Sequence, residues 1–415
     1  MAFTVTPNLI SPCYRPVVFR WTATSTENVQ RVLVKVYVYG QLVTSYYKIP
    51  VYSSGDDYTF DIDVHQVLIE SSAPRTGHIS SIFGNLGEYG VVNNSDVIGS
   101  FYIDVFLQYR SSVTGLLETI GEEEKETSDT FYFIPATRQS WESMHLDSYY
   151  DAIASPPWKV LSNAPDNRSI GLSEDAFVSI LAKGIDICHV YLKLKDGSDQ
   201  FAQWIINPAP ENVSMLTIGV GTANLQGAFP FFTDVDGNGF LPLNFIDIVY
   251  YTVTFGKYTS GVPSSYVLLT EPIRFDVVHR CGYAKQLFWM NRLGGIDQFT
   301  FEGEQQLKQR SGGEIKRKRP EWSLVQAQRS FPYFKGNFKD SITSVLLWEI
   351  TQNFDDPYPY WLRELKTASE VYLLQYEQYN NVTIENGETT LEDARKDGND
   401  FNLTIQLEDE TTQRY

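Results

Sequence analysis

Apolar residues recur at every second position in this chain, and that spacing restricts its fold more than any other feature. The segment Arg31–Tyr39 reads RVLVKVYVY and sets Val32, Val34, Val36 and Val38 on one side of a pleat. Phe101–Tyr109, FYIDVFLQY, repeats the pattern through Phe101, Ile103, Val105 and Leu107. Ile185–Lys195, IDICHVYLKLK, does so through Cys188, Val190, Leu192 and Leu194. Successive side chains of a strand point to opposite faces, so this spacing buries one face and wets the other. Stripes at the helical period of 3.6 are few. Aromatic residues reach 14 %, with 26 Tyr and 25 Phe, and such side chains pack well on a pleated surface. The expected fold is all-β. At 415 residues the chain exceeds one ordinary core, and about two to four domains are expected.

The strand signals divide the chain into four stretches. Residues 1–145 read as an N-terminal β-sandwich of immunoglobulin-like or fibronectin-like size, with further strands at Val17–Thr22, Leu42–Ile49, Tyr58–Ile62 and Thr130–Ile134. Within it, Val64–Ser71 reads as a short helical turn and Ser71–Asp96 as a long polar contact loop. The run Glu122–Glu126, EEEKE, reads as a solvated hairpin tip. Residues 146–172 are poor in strand signals and read as a linker; a short helix is expected near Trp141–Tyr149, and Trp141 and Trp158 as anchors against a neighbouring domain. Residues 173–280 read as a second β-sandwich, in which Asp196-Gly197 turns the chain into Phe201–Ile206. Residues 281–415 form a C-terminal β-rich module with a short helix over Tyr360–Ser369, where Trp361, Leu362 and Leu365 share a face.

Composition excludes some functions. The net charge is −18 and the pI is about 4.7. A field of that sign repels phosphate backbones and disfavours nucleic acid as a partner of the whole surface. Cys13, Cys188 and Cys281 are far apart and odd in number, which indicates neither a disulfide framework nor a zinc ribbon. The first residues lack a secretory pattern, and no run reaches the length of a membrane-spanning helix; a β-barrel would escape that test.

The module that starts at residue 281 carries the most distinctive order of residues. Cys281-Gly282-Tyr283 is followed by the aromatic run Gln286–Met290, the turn Arg292-Leu293-Gly294-Gly295, the run Gln298–Phe301, and Glu302-Gly303. Two such runs around a Gly-Gly pair read as a β-hairpin. Farther on come Trp361-Leu362-Arg363-Glu364-Leu365, Ser369-Glu370-Val371-Tyr372-Leu373 and Val382-Thr383-Ile384. This order resembles the C-terminal module of virion structural proteins in tailed phages that infect Bacteroidetes, crAss-like phages included. Ile296 stands where that family often has Trp, and Asn381 where it often has Pro. The likeness covers roughly the last 135 residues and contains no catalytic residue. It implies a ring or connector of the tail or neck, located in the virion and assembled in the host cytoplasm. Its partners would be copies of itself and other tail, neck or portal-associated proteins, with DNA met only in the tail lumen. Trp289, Phe299 and Trp361 are then expected as core supports of a docking module.

Other candidates carry weaker chemistry. Asp234-Val235-Asp236-Gly237-Asn238-Gly239 opens like a calcium loop, with Asp234, Asp236 and Asn238 as oxygen ligands. Phe245 occupies the place of the bidentate Glu, Asp247 is two residues beyond, and the alternative is a plain polar turn. Lys316-Arg317-Lys318-Arg319 is the one basic run; it reads as a solvated tip, a contact with an acidic neighbour, or a reach towards DNA. His279 with Cys281, and Cys188 with His189, lack the further ligands a metal needs. No GxSxG, HExxH or GxGxxG motif occurs, so no enzyme activity and no cofactor are expected. A receptor- or glycan-binding module at the tail tip is the alternative, with an exposed aromatic platform. A tail-associated hydrolase is a third reading, for which the sequence nominates no residues.

Overall fold

A computed structural model describes residues 2–25, 28–72, 91–93, 98–121, 124–134, 149, 159–182, 185–205, 214–228, 232–233, 245–258, 266–280, 282–312, 315–317, 337–339, 341–354, 360–368, 370–375, 378–385 and 399–414. The protein is all-β and multi-domain, as the alternation requires. Its described strands form sheets of four, seven, seven, three, seven and two strands.

Two compact units divide the chain, and the division falls inside the hairpin. The first comprises Met1–Arg280 and Trp289–Gln298; the second comprises Cys281–Phe288 and Phe299–Tyr415. Residues 1–145 and 173–280, expected as separate domains, thus lie in one compact unit, although each has its own core.

The N-terminal core lies between a four-stranded and a seven-stranded sheet. The first is ordered Ala2–Val5, Val18–Thr24, Asp57–Asp63, Tyr52–Ser54. The main path of the second runs Ile10–Pro12, Phe131–Ile134, Gly99–Arg110, Asn28–Val38, Gln41–Lys48. The alternating valines face inward: Val32, Val34 and Val36 pair with Leu107, Val105 and Ile103. All six pack in one cluster with Phe19, Trp21 and Phe60 of the smaller sheet. Full burial of each such side chain contributes roughly 1.5 to 3 kcal/mol.

The second core packs Cys188, Val190 and Leu192 of Ile187–Leu194 against Val178, Ile180, Leu216 and Ile218 of a three-stranded sheet. Tyr251 stacks on Phe275 at 5.1 Å and donates its hydroxyl to Val220 O at 2.8 Å. Two segments, one expected as linker and one as a contact loop of the N-terminal domain, contribute strands here instead. Asn167–Gly171, inside the expected linker, pairs in parallel with Ile273–Val278. Val91–Asn93, inside the expected contact loop, pairs with Ser214–Gly219. Short strands without alternation read as loop in a sequence; here the sheet supplies their partners. The expected helical turn is the helix His65–Ser72.

The remaining large sheet is ordered Ile296–Phe301, Lys285–Met290, Val371–Gln375, Gln378–Glu385, Asn399–Arg414, Ser341–Phe354, Glu304–Gly312. The expected helix over 360–369 is a 3-10 turn, Tyr360–Leu362, followed by the short helix Arg363–Thr367. No described helix is long and apolar enough to cross a membrane, which says nothing of a β-barrel.

Candidate functional site

The hairpin tip is built from its own asparagine. Asn291 Oδ1 accepts from the backbone N–H of Leu293 at 2.9 Å and of Gly295 at 3.0 Å. Its own backbone N–H donates to Gly295 O at 2.8 Å, which closes the turn. Gly294 has φ +83, the left-handed region that glycine enters without strain. Asn291 Nδ2 then donates to Leu161 O at 2.7 Å, and Ile296 N–H to Ser179 Oγ at 3.1 Å. Gly295 is glycine for space: a Cβ there would lie 2.2 Å from Leu161 O. Leu293 packs with Ile10, Ile134, Leu161, Leu181 and Met215. Asp297 is fully buried and accepts from Ser162 Oγ, which also accepts from Arg168 Nη2 at 3.2 Å. The Leu-Gly-Gly-x-Asp order is therefore a docking device inside the first unit, with each residue in a different role.

Trp289 is fully buried. Phe299 and Trp361 meet edge to face at 5.9 Å, with Phe301 at 4.8 Å and Phe354 at 5.9 Å from Phe299.

The surface feature that stands apart is Gln41–Lys48. It is the terminal strand of its sheet, paired only with Asn28–Val38 among the described strands. Its outer edge therefore presents backbone donors and acceptors that the sheet does not use. Leu42, Val43 and Tyr47 are about half exposed, and beyond the strand Ile49 is 73 % exposed and Tyr52 63 %. From Gln41 to Tyr47 there is no charge and no proline, the usual devices that blunt an edge. Contiguous exposed apolar side chains of this kind mark contact surfaces. The strand is legible in the sequence. Its position at the edge is not.

Other expected sites fare differently. Lys316 and Arg317 lie in the strand Ile315–Arg317, which pairs with Asn337–Lys339. Lys318 and Arg319 lie outside the described residues, as do Asp234, Asp236 and Asn238, Trp141 and Trp158, and Cys281. Among the described residues no group of three His, Cys, Asp or Glu is arranged to hold a metal ion. The solvated reading of EEEKE is corrected at two residues. Glu126 accepts from Trp21 Nε1 at 3.2 Å, and Lys125 pairs with the buried Asp104 at 2.8 Å. Cys188 faces the core and its thiol pKa is pushed up by burial. His189 points to the opposite face of the strand, with Tyr266 Oη 3.2 Å from its Nε2. Burial lowers the His189 pKa. The two residues do not form a dyad.

No protein-family profile matches the chain, and no curated protein matches it. Solved structures show slight similarity. TarS of S. aureus is 12 % identical with TM-score 0.13, covering 65 % of this chain and 38 % of its own. A GH family 64 laminaripentaose-producing β-1,3-glucanase from Paenibacillus barengoltzii, complexed with laminarihexaose, is 11 % identical with TM-score 0.13, covering 72 % of this chain and 63 % of its own. The chain thus spans less than two thirds of each of these structures. Similarity at this level carries no argument about fold or activity.

Proposed function

We propose that this protein is a structural virion protein of a tailed bacteriophage, forming a symmetric ring or connector in the tail or neck. It acts through assembly with copies of itself and with other tail, neck or portal-associated proteins, and carries out no catalysis. The resemblance of residues 281–415 supports the setting. The observation that carries the reading is the apolar strand Gln41–Lys48, which ends its sheet among the described strands and offers backbone pairing and side-chain burial together. Obligate contacts of such rings bury on the order of 2,000 Å² or more. The experiment is the mass of the purified chain by native mass spectrometry and sedimentation, at near-physiological salt across micromolar concentrations. A closed oligomer is expected, and Val43→Lys with Tyr47→Lys shifts it to monomer with an unchanged circular dichroism spectrum. A wild-type chain that stays monomeric, or an oligomer indifferent to both lysines, overturns the role given to this edge. The second reading, a glycan- or receptor-binding module at the tail tip, is favoured by one depression lined by Tyr37, Tyr102 and Lys125.

A further inference from the structure

The outer face of the seven-stranded sheet in the N-terminal sandwich bears an open, shallow depression of about 330 Å³. Tyr37, Tyr102, Asp104, Lys125, Thr127 and Thr130 line it. The alternation that buries Val36 and Ile103 turns Tyr37, Tyr102 and Asp104 outward. Tyr37 and Tyr102 are cross-strand partners whose rings stack at 4.6 Å with an angle of 6°. Together they offer an apolar, partly covered surface.

Beside them lies a built polar group. Asp104 is only 2 % exposed, accepts from Thr127 Oγ1 at 2.6 Å, and pairs with Lys125 Nζ at 2.8 Å. Lys35, the cross-strand partner of Asp104, directs its ammonium over the Phe106 ring at 4.3 Å. Burial, then the Asp104 carboxylate, raises the Tyr37 pKa above its ordinary value. Thr130, exposed at the rim, adds a hydroxyl.

Asp104 and Lys125 pair at contact distance, and the Lys35 ammonium sits over the Phe106 ring. An ammonium and a threonine hydroxyl match the acceptors and donors of neighbouring hydroxyl groups. Aromatic rings match the C–H face of a sugar ring, which is apolar. We infer that this depression binds one pyranose unit of a neutral saccharide, with Tyr37 and Tyr102 as its apolar wall and Lys125 and Thr130 at its hydroxyls. Asp104 positions Lys125 and Thr127 and need not itself move. This inference does not depend on ring assembly: the depression is formed within one chain.

The test is saturation-transfer NMR and calorimetry on the full chain with methyl glucoside, galactoside and mannoside and their short oligomers. Inorganic phosphate and spermidine serve as charged probes. At least one neutral sugar is expected to bind in the millimolar range. Tyr102→Leu weakens binding about tenfold through the lost ring contact. Thr130→Val, which keeps shape at an exposed position, weakens it roughly two- to tenfold through one lost hydrogen bond. No binding by any of these sugars, binding unchanged in both variants, or binding of phosphate or spermidine in place of the sugars overturns the inference. If Tyr102→Leu does not fold, the Thr130→Val result decides alone.

Discussion

Tyr39 is held at φ 52 and Gly40 at φ 73, so these two residues form the left-handed turn between Asn28–Val38 and Gln41–Lys48. A two-residue connection of this hand matches the twist of the strands it joins and prefers Asn-Gly. Tyrosine carries a cost there that asparagine largely avoids. Tyr39→Asn is expected to stabilise the chain by on the order of 1 kcal/mol, read as a higher urea midpoint with an unchanged slope. The backbone bond from Tyr39 N–H to Ser100 O at 2.9 Å is open to either residue. A lower midpoint would show that the tyrosine ring contributes more than the strain costs. At this scale the sequence is a poor guide to charged residues. EEEKE looks solvated because its composition is, yet Glu126 reaches the Trp21 indole and Lys125 a buried carboxylate. Their partners are 105 and 21 residues away.

The hairpin tip makes the same distinction at the scale of an element. Its strands and turn are legible from two aromatic runs and a Gly-Gly pair. The two glycines are not equivalent, and only the packed structure says why. Gly294 answers a backbone angle, whereas Gly295 answers the approach of Leu161 O. Gly295→Ala therefore displaces the tip or the Leu161 backbone and is expected to destabilise by about 1 to 3 kcal/mol. Gly282→Ala is the control: a Cβ there meets nothing within 4 Å, and the change is expected within about 0.5 kcal/mol. Equal urea midpoints for the two variants would refute the packing account. Asn291 and Asp297, missed as site residues, lie between the turn Arg292–Gly295 and the aromatic runs on either side of it. Their signal was a short polar side chain on each flank of the glycines. Their partners, Leu161 and Ser162, lie in a stretch expected to be linker.

For the whole molecule, stability should depend on pH through a group that burial discharges. The His189 pKa lies below its ordinary value of 6.5 in the folded chain, chiefly through desolvation, with Phe201 and Tyr266 rings beside it. The unfolded chain then binds more protons between the two values. The contribution is complete above the unfolded pKa and is lost progressively as pH falls towards the folded one. His189→Phe keeps a ring in place and should flatten the urea midpoint between about pH 7.5 and about pH 5.5. An equal slope in both proteins would assign that window to other groups. The charge of −18 also bears on assembly at this scale. It opposes close approach of copies at low salt, so an edge that joins them has to gain from uncharged contacts, as Gln41–Lys48 can.

Local alternation was enough to establish an all-β chain, most of its long strands and which side chains face a core. That follows because side-chain direction in a strand depends only on residue parity. Parity carries no information about neighbours. It could not tell that Asn167–Gly171 and Val91–Asn93 complete sheets of the second sandwich, or that Gln41–Lys48 ends one. Nor could it bring Tyr37, Asp104 and Lys125 into one depression. Those outcomes depend on pairing between residues far apart in the chain, where burial and hydrogen bonding of the whole sheet select the register.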